Sequence, residues 1–134
     1  MSITAFVAAV AALEVDGVRR TFAYPPMQLN AADLPAMYPR PPASDYAPLS
    51  VCDDTADEMS CELVLAVQAA GLGTQAVNYA ALLEMADALN AALKAGQFGL
   101  GALVTWRLQA QDQNPIIIGQ TPYWGVTAII TKRG

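Results

Sequence analysis

Between residues 25 and 50 the chain carries seven of its nine prolines: Pro25, Pro26, Pro35, Pro39, Pro41, Pro42 and Pro48. A locked φ and a missing N–H stop a helix and block pairing in the middle of a sheet. The density therefore predicts a long, irregular excursion that divides the chain into two patterned stretches. The same segment holds Met27, Leu29, Leu34, Met37, Tyr38 and Tyr46, which a disordered linker would not need. A loop of this kind is expected to pack on its own domain, to dock on a neighbour, or both.

On the N-terminal side, Ser2 is placed to cap a helix in which Ile3, Phe6, Val7, Val10 and Leu13 share one face. Asp16-Gly17 signals a turn. Val18, Arg20, Phe22 and Tyr24 then alternate with Arg19, Thr21 and Ala23, a strand pattern. Beyond the prolines, Met59, Cys61, Leu63, Leu65 and Val67 form one face of a strand, and Ser60, Glu62 and Gln68 the other. Gly71–Thr74 turns the chain, with Thr74 the expected cap of a helix over 75–95. Its predicted buried stripe is Tyr79, Leu82, Leu83, Ala86, Leu89 and Leu93, and Gly96 suits its end. Strands are expected at 102–109 and 123–131, joined by a turn at Gln111–Pro115 and a short run Ile116–Ile118. Two helices and strands linked by short turns predict the α+β class. The expectation is a single domain over 1–134: a mainly antiparallel sheet of about four strands, two helices on one face, and the proline-rich loop.

Only 14% of the residues are charged and 54% are apolar, against roughly 25% charged in an ordinary soluble domain. Alanine, at 26 residues, dilutes the burial energy. The larger apolar side chains still exclude intrinsic disorder. So little charge to cover the outside predicts that part of the surface meets a partner or other copies of the chain. The net charge is −5, and Arg19, Arg20, Arg40, Lys94, Arg107, Lys132 and Arg133 are scattered. That argues against tight nucleic-acid binding. Histidine is absent, which removes the His-dependent nucleophiles and most zinc catalysis. Cys52 and Cys61 are expected to be reduced thiols, with Cys61 on the inner side of its strand. No apolar run reaches the ~18–20 residues that span a bilayer. Ile3–Leu13, apolar on one face with no positive charge before it, predicts neither a signal peptide nor an anchor.

Motifs that suggest chemistry each meet a structural alternative. Gly96-Gln-Phe-Gly-Leu-Gly101 resembles a phosphate loop in composition alone, because a phosphate cradle needs its helix after the glycines. A helix stop and turn is the expectation. Asp53, Asp54, Asp57 and Glu58 lack calcium-loop spacing and read as a solvated turn. Glu84 and Asp87 share a polar helix face with Lys94. Trp106 and Trp124 read as core residues, or as part of a sheet-face interface. No set of residues supports catalysis, a cofactor or a metal site, and the chain is not expected to be an enzyme.

The run Val15–Arg40 contains Tyr24-Pro-Pro, then Asn30-Ala-Ala-Asp-Leu-Pro-Ala36, and the chain closes with Tyr123-Trp-Gly-Val-Thr-Ala-Ile-Ile-Thr131. With its length and element order, it resembles the tail terminator (tail completion) proteins of long-tailed bacteriophages. At motif level the resemblance covers residues 18–40. It implies a virion protein of the tail and neck, assembled in the host cytoplasm, forming a hexameric ring on the last tube ring. Its partners would be itself, the tail tube protein and the head–tail connector, with DNA passing through unbound and no membrane involved. The resemblance also implies that the loop reaches a neighbouring subunit or ring. The candidate interface residues are Tyr24, Pro25, Pro26, Leu29, Asp33, Leu34, Met37, Tyr38, Arg40 and Tyr46. Asp53, Asp54, Asp57 and Glu58 are the candidates for an acidic lumen that does not hold phosphates. Another neck protein such as a head–tail adaptor, a minor tube component, or a small-molecule module using Trp106, Trp124 and the glycine turn are the alternatives.

Overall fold

The computed structural model describes residues 2–45, 58–69, 75–100 and 104–133. The first helix, α1 (Ile3–Ala11), starts at its expected cap, where the Ser2 hydroxyl accepts the Ala5 N–H at 3.1 Å. Gly17 turns the chain at φ +87°, a conformation that favours glycine. Then follow β1 (Arg20–Thr21), a 3₁₀ turn (Ala31–Asp33), β2 (Ala36–Pro39), β3 (Ala43–Asp45) and β4 (Glu58–Ala69). Helix α2 (Gln75–Leu100) leads to the long hairpin of β5 (Val104–Ile118) and β6 (Thr121–Arg133).

These six strands form one sheet in the order β1-β2-β4-β6-β5, with β3 also paired to β4. Among the described residues only the β1–β2 pair is parallel. The class is therefore α+β with two helices and a mostly antiparallel sheet, as the pattern predicts, but the described residues form six strands rather than about four. Both additional strands come from the proline-rich stretch. Proline is tolerated in β2 because Pro39 stands at its last position, and Pro41 and Pro42 lie between β2 and β3. Conversely, the strand expected over 18–24 shrinks to Arg20–Thr21.

Helix α2 does not stop at Gly96 but runs through it and Gly99 to Leu100. Over its described residues, 96–100, the glycine-rich run is therefore helix rather than turn. Gly96 is where the helix passes Leu13: a Cβ there would lie 2.5 Å from the Leu13 Cδ2. The buried stripe of α2 is also rotated from the expected one. Asn78, Leu82, Met85, Leu89, Leu93 and Leu100 are buried, while Tyr79 and Leu83 are exposed. The expected cap Thr74 lies outside the described residues. The expected turn at Gln111–Pro115 lies inside β5, as an irregularity where pairing steps from Gln111–Gly125 to Ile116–Tyr123. The hairpin instead closes at Gly119-Gln120, between the paired Ile118 and Thr121. Gly119 has φ +65°, the glycine-first geometry of a type II′ turn.

Each face of the sheet has its own apolar cluster. On the inner face both helices pack onto Met37, Met59, Cys61, Leu63, Leu65, Val67, Val126, Ala128 and Ile130. Phe6, Val10, Leu89 and Leu93 are fully buried there, each large side chain contributing about 1.5–3 kcal/mol by leaving water. Trp106 and Trp124 pack partly buried against this cluster, and the Trp106 Nε1–H donates to the Asn90 Oδ1 at 3.0 Å. On the outer face a smaller cluster joins Leu34, Ala36, Tyr38, Val64, Ala66, Ile116, Ile118 and Tyr123. Its cover is extended chain: Phe22 and Leu29 lie against it.

Candidate functional site

The outer cover begins at β1. Arg20 donates to the Asp33 Oδ1 at 3.1 Å and lies over the Phe22 ring, 4.6 Å from its centroid. The other Asp33 oxygen accepts the Asn30 N–H at 3.1 Å. That backbone hydrogen bond, then the Arg20 guanidinium, hold the Asp33 carboxyl below the usual carboxylate range. Asp33 thus pins the start of the 3₁₀ turn to β1 and fixes where the Tyr24–Leu29 segment leaves the sheet. The segment runs across the outer face to the hairpin turn, where a Cβ on Gly119 would meet the Met27 carbonyl oxygen at 2.9 Å.

Between this segment and the sheet lies a cavity of about 450 Å³. Pro25, Pro26 and Met27 form one wall, Tyr38, Arg40, Glu62 and Thr127 the floor, and Gln111 with Ile116–Ile118 the far side. Arg40 and Glu62 pair at 3.7 Å, both partly in solvent, so the pair stabilises by at most ~1 kcal/mol. Burial pushes the Tyr38 phenol up, so at neutral pH the floor presents a neutral hydroxyl. Beneath it, the Cys61 Sγ–H donates to the Arg40 carbonyl at 3.4 Å. Burial, with the nearby Glu62 carboxylate, pushes the Cys61 thiol up to about 11. It is a buried free thiol, as its strand pattern predicts; Cys52 lies outside the described residues.

A second recess, of about 520 Å³, opens on the inner side between α2 and the hairpin. It is lined by Tyr79, Leu82, Leu83, Ala110, Gln111 and Trp124. Gln111 lines both recesses, so they flank the same stretch of β5. Of the seven large exposed apolar side chains among the described residues, Met27 (90% exposed) and Ile117 (60%) line the first recess and Tyr79 and Leu83 the second; Tyr24, Val77 and Ile129 lie outside both.

The candidate interface residues separate into two sets. Tyr24, Pro25 and Arg40 are exposed, and Pro26, Leu29 and Asp33 are half-buried. Leu34 and Tyr38 are buried in the outer cluster, and Met37 is fully buried in the main core. Within one chain those three hold β2 to its own domain rather than offering it outward. Tyr46 lies outside the described residues, as do Asp53, Asp54 and Asp57. Glu58 opens β4 and pairs with Arg133 at 3.4 Å, directly across the strands. Sequence reading missed Ile117, Gln111 and Glu62. The signal for the first was present, since three isoleucines ahead of Gly119 mark a strand entering a tight turn.

Among the described residues no group of three or more Cys, Asp or Glu is placed to hold a metal ion. No helix among them is long and apolar enough to cross a membrane. No family model matches the chain, and no curated protein matches it either.

Proposed function

We propose that the protein is a structural component of a bacteriophage virion: a tail terminator that forms a ring, hexameric by resemblance, on the end of the tail tube. It would join the tube to the head connector and work without catalysis. One observation carries this reading. Each sheet face already has its own buried cluster, yet seven large apolar side chains remain exposed among the described residues, four of them lining the two recesses beside the hairpin. Exposed apolar surface concentrated this way marks a protein interface. The motif resemblance over 18–40 and the net charge of −5, which suits DNA passing without sticking, add to it. In the ring, the acidic run 53–58 is proposed to face the lumen; a lysine-lined channel would sink that part.

Light scattering on the purified chain tests the reading, with a ring-sized oligomer expected and a stable monomer at high concentration overturning it. Binding the tube protein rather than the connector alone separates a terminator from a head–tail adaptor. Removing the whole of 25–50 is a poor test of the loop, because it removes β2. Tyr24→Ser with Met27→Ser leaves both clusters intact, and loss of oligomers is expected. A small-molecule binding module is the second reading, favoured by the outer cavity with Arg40, Glu62, Gln111 and Thr127 among apolar walls. A monomer stabilised against heat by a member of a metabolite panel would turn the assignment that way.

A further inference from the structure

The two margins of the sheet present strands of opposite sense. Strand β6 is antiparallel to both β4 and β5, so β5 runs in the same direction as β4. Strands β2 and β3 are antiparallel to β4, and β1 is parallel to β2. Every strand available at the far margin, β1 or β3, therefore runs opposite to β5. If one copy is set beside the next without being turned over, the β5 of one meets a strand of the other in antiparallel sense. A contact between two different margins is heterologous, the kind that builds a ring when the rotation between copies closes and an open filament when it does not.

The β5 margin is the longest one left open among the described residues. Strand β5 has 15 residues, and among the described residues no strand pairs with its outward side. Its outward N–H and C=O groups form a row that another strand can satisfy. Over Val104–Gln111 it has no proline, and Arg107 is its only charged residue. Strands at a sheet margin are usually guarded by lysines, proline or short length. Side chains of an added strand alternate between the two faces. On the inner side they would reach the recess of Tyr79, Leu83 and Trp124; on the outer side they would lie beside Thr105, Arg107 and Gln109.

We propose that a second copy of this chain adds the β3 margin of its sheet to β5 over Val104–Gln111, head to tail, so that one sheet continues from subunit to subunit. This rests on the ring reading and names the contact that would build the ring. Ala43, Ser60, Thr131 and Thr105 stand in one row across the sheet, which places Ala43 of one copy near Thr105–Gln109 of the next. Directly opposed residues on neighbouring antiparallel strands have Cα atoms ~4.5–5.5 Å apart, within disulfide reach.

The test is oxidative cross-linking in a Cys52→Ser background, pairing Ala43→Cys with Thr105→Cys, Arg107→Cys or Gln109→Cys in turn. A ladder of covalent oligomers beyond the dimer from at least one pair, and none from either cysteine alone, is expected. Dimers from Thr105→Cys alone would mean that β5 pairs with itself and would overturn the proposal. No cross-link from any pair, in a protein that light scattering shows to be oligomeric, overturns this contact and leaves the ring reading standing. A monomeric protein overturns both. As a second arm, Thr105→Lys with Gln109→Lys changes exposed positions on β5. It should give a folded monomer with an unchanged circular-dichroism spectrum, and persistent oligomers would count against the contact.

Discussion

The inner and outer faces of the sheet are closed by different materials. On the inner face two helices lay apolar stripes across β4 and β6, and backbone hydrogen bonds are satisfied within each helix. On the outer face an extended, proline-bearing segment crosses the strands and leaves a cavity of about 450 Å³ beneath it. A helix brings its own hydrogen bonds to a packing surface; an extended segment must find them elsewhere. Here it finds them at a few places: the Arg19 N–H and Phe22 N–H donate to the Pro35 and Met37 carbonyls at 2.8 Å, and the Asn30 N–H to Asp33. The inner face is the stability of the domain. The outer face is the one that can be altered without unfolding it.

Substitutions measure that difference. Phe6→Ala removes a fully buried ring from the inner cluster and should destabilise by about 3–5 kcal/mol in denaturant unfolding. Gly125→Ala tests where the faces meet, because a Cβ there would run into the Leu65 carbonyl oxygen, which is backbone and cannot step aside. It should destabilise by up to about 3 kcal/mol, and a neutral result would mean that β4 and β6 separate more easily than their pairing implies. Leu34→Ala, in the outer cluster, should lose only about 2 kcal/mol, the low end for such a truncation, because Leu34 already borders an open recess of about 350 Å³ with Arg19, Ala31 and Pro35 and its surroundings can settle. A loss matching that of Phe6→Ala would erase the contrast between the faces.

Two pH experiments probe smaller effects. The Cys61 thiol, raised to about 11 from an unfolded value near ~8.5, is neutral when folded and ionises more readily when unfolded. Its contribution is complete below about pH 8.5 and is lost as pH rises towards 11. Cys61→Ala should flatten that alkaline fall, and at pH 8 a thiol reagent should modify Cys61 only as fast as the chain opens. Asp33 has the opposite sign. Its lowered folded value contributes stability above the unfolded carboxylate range, and this is lost as pH falls through the folded value. Wild type and Asp33→Asn should therefore differ slightly at neutral pH and converge in acid; a constant gap would mean that the carboxylate charge is irrelevant.

Much of the inner face was legible because its patterns are local. Period-two alternation in Met59–Val67 and Trp124–Ile130 locates both central strands, and the spacing of Phe6, Val10 and Leu13 locates α1. Tyr79 and Leu83 were assigned to the core because hydrophobicity alone cannot tell a helix stripe facing the sheet from one beside an open recess. Gly96 misled because a glycine that ends a helix and a glycine that lets a second segment approach look alike; Leu13 distinguishes them only in three dimensions. The outer face was least legible. Proline content correctly denies a central strand its interior positions, but β2 fits four residues ending on Pro39, and its partner β4 lies beyond the whole excursion.

The position of β6 has a consequence for how the molecule comes into being. It is the last strand along the described chain, yet it lies between β4 and β5. During synthesis β4 can pair with β2 and β3 on one edge, but its other edge stays open and β5 has no neighbour until Thr121–Arg133 follows it. A nascent chain arrested before that point would leave the β6 edge of β4 unpaired along its length. Translation to the end of β6 is therefore the condition for β5 to join the rest of the sheet, and a premature stop should yield a chain with an open β4 edge, a substrate for proteolysis.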